Sequence, residues 1–129
     1  MNTSLTLGKK ERLKSRKLIN ELFEKGKKLQ SKSFGVRYVV KGKVPPGEEL
    51  QVGVTVSTRI FPASIHRNRV KRLLREAWRL NKSGLREKMK DQGQLLIFFI
   101  YTSNEIREFS VLEKEMQTII GKLENLLSP

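Results

Sequence analysis

The sequence predicts an α+β fold: a small sheet packed with helices. Three observations carry this. Three segments show strand patterning, by strict alternation in two of them and a continuous apolar run in the third. Three others carry apolar stripes at helical spacing. The two kinds are mixed along the chain as helix, strand, strand, helix, strand, helix, rather than alternating as in a doubly wound fold. At 129 residues, the chain has enough apolar sequence for one core.

The elements follow in order. Residues 1–14 are polar and basic, with Lys9, Lys10, Arg12 and Lys14, and read as a flexible arm ahead of one domain over 15–129. Ser15 is an N-cap candidate for a helix ending near Lys25, with Gly26 as its stop. Leu18, Ile19, Leu22 and Phe23 make its apolar stripe, wide enough to touch two surfaces. From Ser33 to Lys41 a strand sets Phe34, Val36, Tyr38 and Val40 against Gly35, Arg37, Val39 and Lys41. A turn around Pro45-Pro46-Gly47 leads to a second strand, Leu50 to Ser57. There Leu50, Val52, Val54 and Val56 oppose the small polar set Gly53, Thr55 and Ser57, which suits close approach of another chain or ligand. After a connector, with Ser64 or His66 as cap, an arginine-rich helix runs to between Asn81 and Gly84. A polar linker follows. Gln94 to Thr102, apolar on both faces, is the expected central strand. A last amphipathic helix spans 109–127.

The chain carries 27 Lys+Arg against 13 Asp+Glu, a net charge of +14. The excess lies before residue 105. Over residues 105–129 the acids Glu105, Glu108, Glu113, Glu115 and Glu124 outnumber the bases Arg107, Lys114 and Lys122. Such self-repulsion calls for an anionic partner, nucleic acid first and an anionic membrane surface second. With no cysteine, disulfides, thiolate metal sites and cysteine nucleophiles are excluded, which fits a reducing cytoplasm. No apolar run reaches the ~20 residues that span a bilayer, and no secretory signal is visible.

Residues 67–79 are the richest stretch. Arg67, Arg69, Lys71, Arg72, Arg75 and Arg79 share it with the apolar stripe Val70, Leu73, Leu74, Ala77 and Trp78. At about 100° per residue, Asn68, Lys71, Arg72, Arg75 and Arg79 fall opposite that stripe. Guanidinium groups bond phosphate oxygens bidentately, so the ladder suits a polyanionic backbone. A solvated basic face is the competing reading. Glu76 is the only acid in the segment, too few for i,i+4 ion pairing to account for the charge. Enzyme chemistry is hard to build from the rest. His66 has no acid or nucleophile beside it in sequence, there is no metal-ligand spacing, and no phosphate-binding loop is present. Phe34, Tyr38 and Phe23 could stack on single-stranded bases, with ordinary core packing as the alternative.

The segment Arg67-Asn68-Arg69-Val70-Lys71-Arg72-Leu73-Leu74-Arg75-Glu76-Ala77-Trp78-Arg79 closely resembles the signature of the protein subunit of bacterial ribonuclease P. Val52-Gly53-Val54-Thr55-Val56-Ser57 resembles the strand before it, and Leu22-Phe23-Glu24-Lys25-Gly26 the end of that family's first helix. The resemblance covers roughly residues 8–122. It implies a ribosomal-protein-like fold with a left-handed βαβ crossover, a hand that general connection rules disfavour. It implies a protein cofactor of a cytoplasmic ribonucleoprotein whose catalytic RNA uses Mg²⁺ to hydrolyse one phosphodiester of precursor tRNA and release the 5′ leader. Carried over by position, Arg67, Asn68, Arg69, Lys71, Arg72, Arg75 and Arg79 would contact the catalytic RNA, with Arg59 on the connector. Ile19, Phe23, Val36, Tyr38 and Thr55 would line the leader cleft. No catalytic group or direct metal ligand is expected in the protein, nor an obligate protein partner or a membrane. Two departures stand out. The connector Thr58-Arg59-Ile60-Phe61-Pro62-Ala63-Ser64-Ile65 is one residue longer than the family pattern and has one base in place of two. Ile19 stands where an aromatic is common. A structural ribosomal-type RNA-binding protein without leader recognition is the alternative.

Overall fold

A computed structural model describes residues 11–127. The elements are α1 (Arg16–Lys25), β1 (Lys27–Gln30), β2 (Phe34–Lys41), β3 (Leu50–Val56), α2 (Ser64–Asn81), α3 (Ser83–Met89), β4 (Gln94–Tyr101) and α4 (Phe109–Leu126). The α+β expectation holds, with two additions to the predicted order. β1 is a short edge strand whose sequence, Lys-Lys-Leu-Gln, shows no apolar alternation; it exists because it pairs with β2. α3 occupies part of the expected polar linker, anchored by buried Leu85 and Met89.

The sheet order is β1-β2-β4-β3. β2 is antiparallel to both β1 and β4, while β3 runs parallel to β4 in the register Gly53↔Phe98 and Thr55↔Ile100. A parallel pair needs a long crossover, and α2 with α3 supplies it. β4 is central, as its two apolar faces predict.

Local chemistry sets the helix ends. The Ser15 hydroxyl accepts from the Leu18 amide at 3.3 Å, so Ser15 is the predicted N-cap of α1. Gly26 ends the helix where a Cβ would lie 2.3 Å from the Leu22 carbonyl oxygen. For α2 the expectation needs correcting. Ser64 and His66 lie inside the helix, and Ala63 is the N-cap residue, with no side-chain cap. Arg67 steadies this start instead, donating from Nη1 to the Phe61 and Pro62 carbonyls at 2.8 and 2.6 Å.

The two faces of the sheet are unequally covered. Against one face, α2 and α4 enclose the large core, with Phe34, Val36, Tyr38, Leu50 and Val52 from the sheet and Val70, Leu74, Trp78, Met116 and Ile119 from the helices. The predicted α2 stripe is buried there, apart from partly buried Leu73. On the other face, α1 buries only Leu22, with Leu13, Leu96 and Phe98, flanked by partly buried Leu18, Ile19, Val39 and Ile100.

Residues 1–10 of the expected arm lie outside the described residues. Residues 11–13 do not behave as an arm. Leu13 donates its amide to the Val52 carbonyl at 2.9 Å, and Arg12 bridges Val52 in parallel. Glu11 is buried, with Lys82 Nζ and Arg86 Nη2 each 2.5 Å from its carboxylate. A buried carboxylate needs such partners, so the chain is held at the β3 edge.

Candidate nucleic-acid interface

Two surfaces meet the description of an RNA interface. The first is the outer face of α2. Asn68, Arg69, Arg72 and Arg75 are exposed along it, because the apolar stripe on the opposite side is committed to the core. Arg79 is partly occupied by an ion pair with Glu76, one turn back, at 2.6 Å. That pairing neutralises the acid of this face and holds the Glu76 carboxyl below its ordinary range. Arg67 is half-buried and engaged with the connector carbonyls, so its position is structural as well as basic. Lys71 is half-buried, and Arg59 is exposed on the connector, its amide bonded to the Ser57 hydroxyl at 3.0 Å. A groove of about 980 Å³ runs between the N-terminal half of α2 and Phe109 at the start of α4, with Asn68, Arg69 and Arg72 on its wall. A smaller one, about 380 Å³, is lined by Arg12, Asn68, Arg72, Arg75, Glu76 and Arg79. Partial burial and then the positive charge of Arg12 hold the Arg75 guanidinium below its ordinary pKa.

The second surface is the half-covered sheet face beneath α1. Phe23 is 40% exposed and packs edge-on against Phe98 at 5.4 Å between ring centroids. The Arg37 guanidinium lies 5.5 Å from the Phe23 ring centroid, and its Nη1 donates to the Phe23 carbonyl at 2.8 Å. A cavity of about 290 Å³ opens between the 12–14 segment, Ile19 of α1 and the sheet at Gly53 and Phe98. Gly53 is required here: a Cβ would lie 2.3 Å from the Phe98 ring. Thr55 follows on the same face of β3, paired in register with Ile100.

The structure therefore places Ile19, Phe23 and Thr55 on the α1 side of the sheet, through Phe98 and Ile100, and Val36 and Tyr38 on the other side. Val36 is 2% exposed and Tyr38 5%, both within the large core on the α2–α4 side. Burial accordingly raises the Tyr38 phenol pKa. The physical reason is the two-residue period of a strand: a shift of one position exchanges the faces. The β2 residues on the α1 side include Arg37 and Val39, neighbours of Phe98 and Leu96 in the paired strand, and Lys41, ion-paired with Glu21 of α1. Arg37 was missed as a site residue. Its signal was present in the alternation, since the apolar-aromatic side of β2 is the side a core claims and Arg37 lies on the other.

Among the described residues, no cluster of three or more His, Asp or Glu side chains could hold a metal ion. No helix among them is long and apolar enough to cross a membrane. The donors on both surfaces are guanidinium, ammonium and amide groups with aromatic and aliphatic floors, which is the chemistry of phosphate and base binding.

Comparisons with known proteins agree. Residues 7–124 match the family model described as Ribonuclease P. The ribonuclease P protein component of Porphyromonas gingivalis is 37% identical over 117 residues, covering 86% of this chain and 81% of that protein. That of Chlorobaculum tepidum is 31% identical over 117 residues, covering 85% and 75%. Among solved structures, the RNase P protein from Thermotoga maritima superposes with a TM-score of 0.67 at 25% identity, over 87% of this chain and 96% of the other. The Staphylococcus aureus RNase P protein superposes with a TM-score of 0.65 at 17% identity, over 92% and 98%, a likeness of fold. With a basic helix face, a half-open sheet face and these relatives, the chain belongs to the ribonuclease P protein family, the protein components of the endoribonucleoprotein that matures the 5′ ends of tRNA.

Proposed function

We propose that the two surfaces divide the work of an RNA cofactor. The outer face of α2, with Asn68, Arg69, Lys71, Arg72, Arg75 and Arg79, binds the catalytic RNA. Arg67 and Arg59 extend it at the connector. The cleft formed by Ile19, Phe23, Arg37 and Thr55 takes the single-stranded 5′ leader of precursor tRNA. One observation carries this reading: an aromatic, Phe23, left 40% exposed over a sheet face that α1 only half covers, with a guanidinium beside it. An extended strand of RNA can stack a base on the ring and place phosphates against Arg37.

Phosphodiester hydrolysis belongs, in this reading, to the RNA. Mg²⁺ would be held by RNA oxygens, because the α2 face offers guanidinium groups, the Lys71 ammonium and one amide, and its single acid is paired with Arg79. The protein's residues bring phosphates together and offset their repulsion, lowering the Mg²⁺ needed to assemble the complex. The bacterial cytoplasm, where precursor tRNA is made, is its expected compartment.

The test is cleavage of 5′-labelled precursor tRNA at low Mg²⁺ with catalytic RNA alone, protein alone and both. Cleavage at the leader junction in the mixture, well above RNA alone, is the expected result. Cleavage by the protein alone, or no stimulation despite tight RNA binding, would overturn it.

A further inference from the structure

The two surfaces are not separate. Arg12 and Arg75 line both the groove along α2 and the cavity beneath α1, so they stand where one passes into the other. Among the described residues no carboxylate pairs with either. Glu76, the acid in the same groove, is taken by Arg79. Two like charges thus line the same two cavities with no carboxylate among the described residues paired to them, and the Arg12 charge acts on Arg75. The fold spends buried ionic contacts on keeping Arg12 there. Its neighbour Glu11 is locked to Lys82, which is fully buried at the α2–α3 junction, and to Arg86 of α3. On the other side, Leu13 is buried and bonded to Val52.

We propose that Arg12 and Arg75 form a binding site for one RNA phosphodiester at the junction of the α2 face and the cleft, with Glu11 as the positioning residue that places Arg12. Where that phosphate comes from the leader, the site rests on the cleft reading above. Where it comes from the catalytic RNA, it does not. The chemistry is the same in both: two planar forks of N–H donors around one phosphate, each donating charge-assisted hydrogen bonds. Bound there, the phosphate would cancel the repulsion between the two cations and fix the path of RNA from one surface to the other.

The experiment compares Arg12→Ala, Arg75→Ala and the double variant in two binding assays across salt concentrations. One measures association of the protein with catalytic RNA. The other measures affinity of the reconstituted holoenzyme for precursor tRNA with leaders of increasing length and for mature tRNA. Loss of one charged hydrogen-bond set weakens binding roughly tenfold at fixed salt. In the double variant the salt slope falls by about one unit, the signature of one shared phosphate. A loss in the first assay assigns the phosphate to the catalytic RNA; a loss confined to leader-bearing substrate assigns it to the leader. Either result supports the site.

An unchanged slope in both assays would overturn it. So would a drop of about two units in the double variant, which means two independent phosphates. If the wild-type holoenzyme shows no leader-dependent affinity, the cleft reading fails, and the catalytic-RNA assay decides the site by itself. Glu11→Gln tests the positioning role. Removing a negative charge by itself favours RNA binding, so weaker binding by folded Glu11→Gln protein reads the displacement of Arg12, and stronger binding refutes that role. Should Glu11→Gln fail to fold, the exposed Arg12 and Arg75 variants still decide the phosphate site.

Discussion

The two faces of the sheet make opposite use of similar residues. On the α2–α4 side, aromatic side chains interlock: Trp78 lies 5.6 Å from Phe99, and Phe34 lies 5.7 Å from Phe99, ring centre to ring centre. All three are fully buried. On the α1 side, Phe23 meets Phe98 at a similar distance, yet the residue remains 40% exposed. A ten-residue helix lies over a four-stranded sheet and leaves part of it uncovered. The lesson is a division of labour. The closed face supplies the burial that stabilises the fold, so the other face can carry apolar surface open to a ligand.

Breaking the closed face should have the largest effect. Trp78→Ala removes a fully buried side chain and should cost about 3–5 kcal/mol of stability, measured by chemical denaturation. A cost near that of a surface substitution would place the core elsewhere. Tyr38→Ala belongs to the same class, and its effect on leader affinity should vanish once binding is corrected for the folded fraction.

Next is the seam between α4 and the β1–β2 turn. Glu115 accepts hydrogen bonds from the Ser33 amide at 2.8 Å, the Ser33 hydroxyl at 2.6 Å and the Ser31 hydroxyl. Burial pushes its pKa up, but the Ser31 and Ser33 donors outweigh that and hold it below the ordinary 4.5. A carboxylate with a lowered folded pKa contributes stability fully above its unfolded value and loses it as pH falls through the folded value. Glu115→Gln should therefore cost about 1–2 kcal/mol at neutral pH, discounted for partial exposure, and much less at a pH below the folded value. Denaturation curves at the two pH values check this; an equal cost at both would remove the carboxylate from the account.

On the open face the signs of stability and function should separate. Phe23→Ala should change folding stability little but weaken leader-bearing substrate by about 1–3 kcal/mol if one base stacks on the ring. Comparing precursor with mature tRNA measures it, and equal affinities for variant and wild type would close the cleft reading. Smallest, Arg72→Ala should lower the salt slope of catalytic-RNA binding by about one unit without affecting the fold. An unchanged slope would make Arg72 a solvated cation.

Legibility followed the strength of local signals. The α2 stripe and ladder could be read because a helix with one face in the core must show the other, and Val70, Leu74, Ala77 and Trp78 leave Arg72 and Arg75 no other side. The Ser15 cap and Gly26 stop are chemistry within one turn. β1 was illegible because its strand character comes from pairing with β2 rather than from its own side chains. α3 was hidden by Gly84 and a polar surface, with only Leu85 and Met89 facing in. Val36 and Tyr38 were assigned to the cleft by resemblance, against the alternation that already grouped them with Phe34 on an apolar side.

By itself the sequence determined the α+β class, the central place of β4, the arginine face of α2 and the polyanion as partner. Each follows from periodicity and charge, which act over a few residues. Only the tertiary structure decided which face of β2 meets the core, that Arg37 rather than Tyr38 stands beside Phe23, and that Glu11 ties Arg12 to the α2–α3 junction. Those depend on contacts between residues far apart in the chain, such as Glu11 with Lys82. A pattern along the chain specifies which side chains share a face; packing free energy, summed over the whole core, selects what that face is packed against.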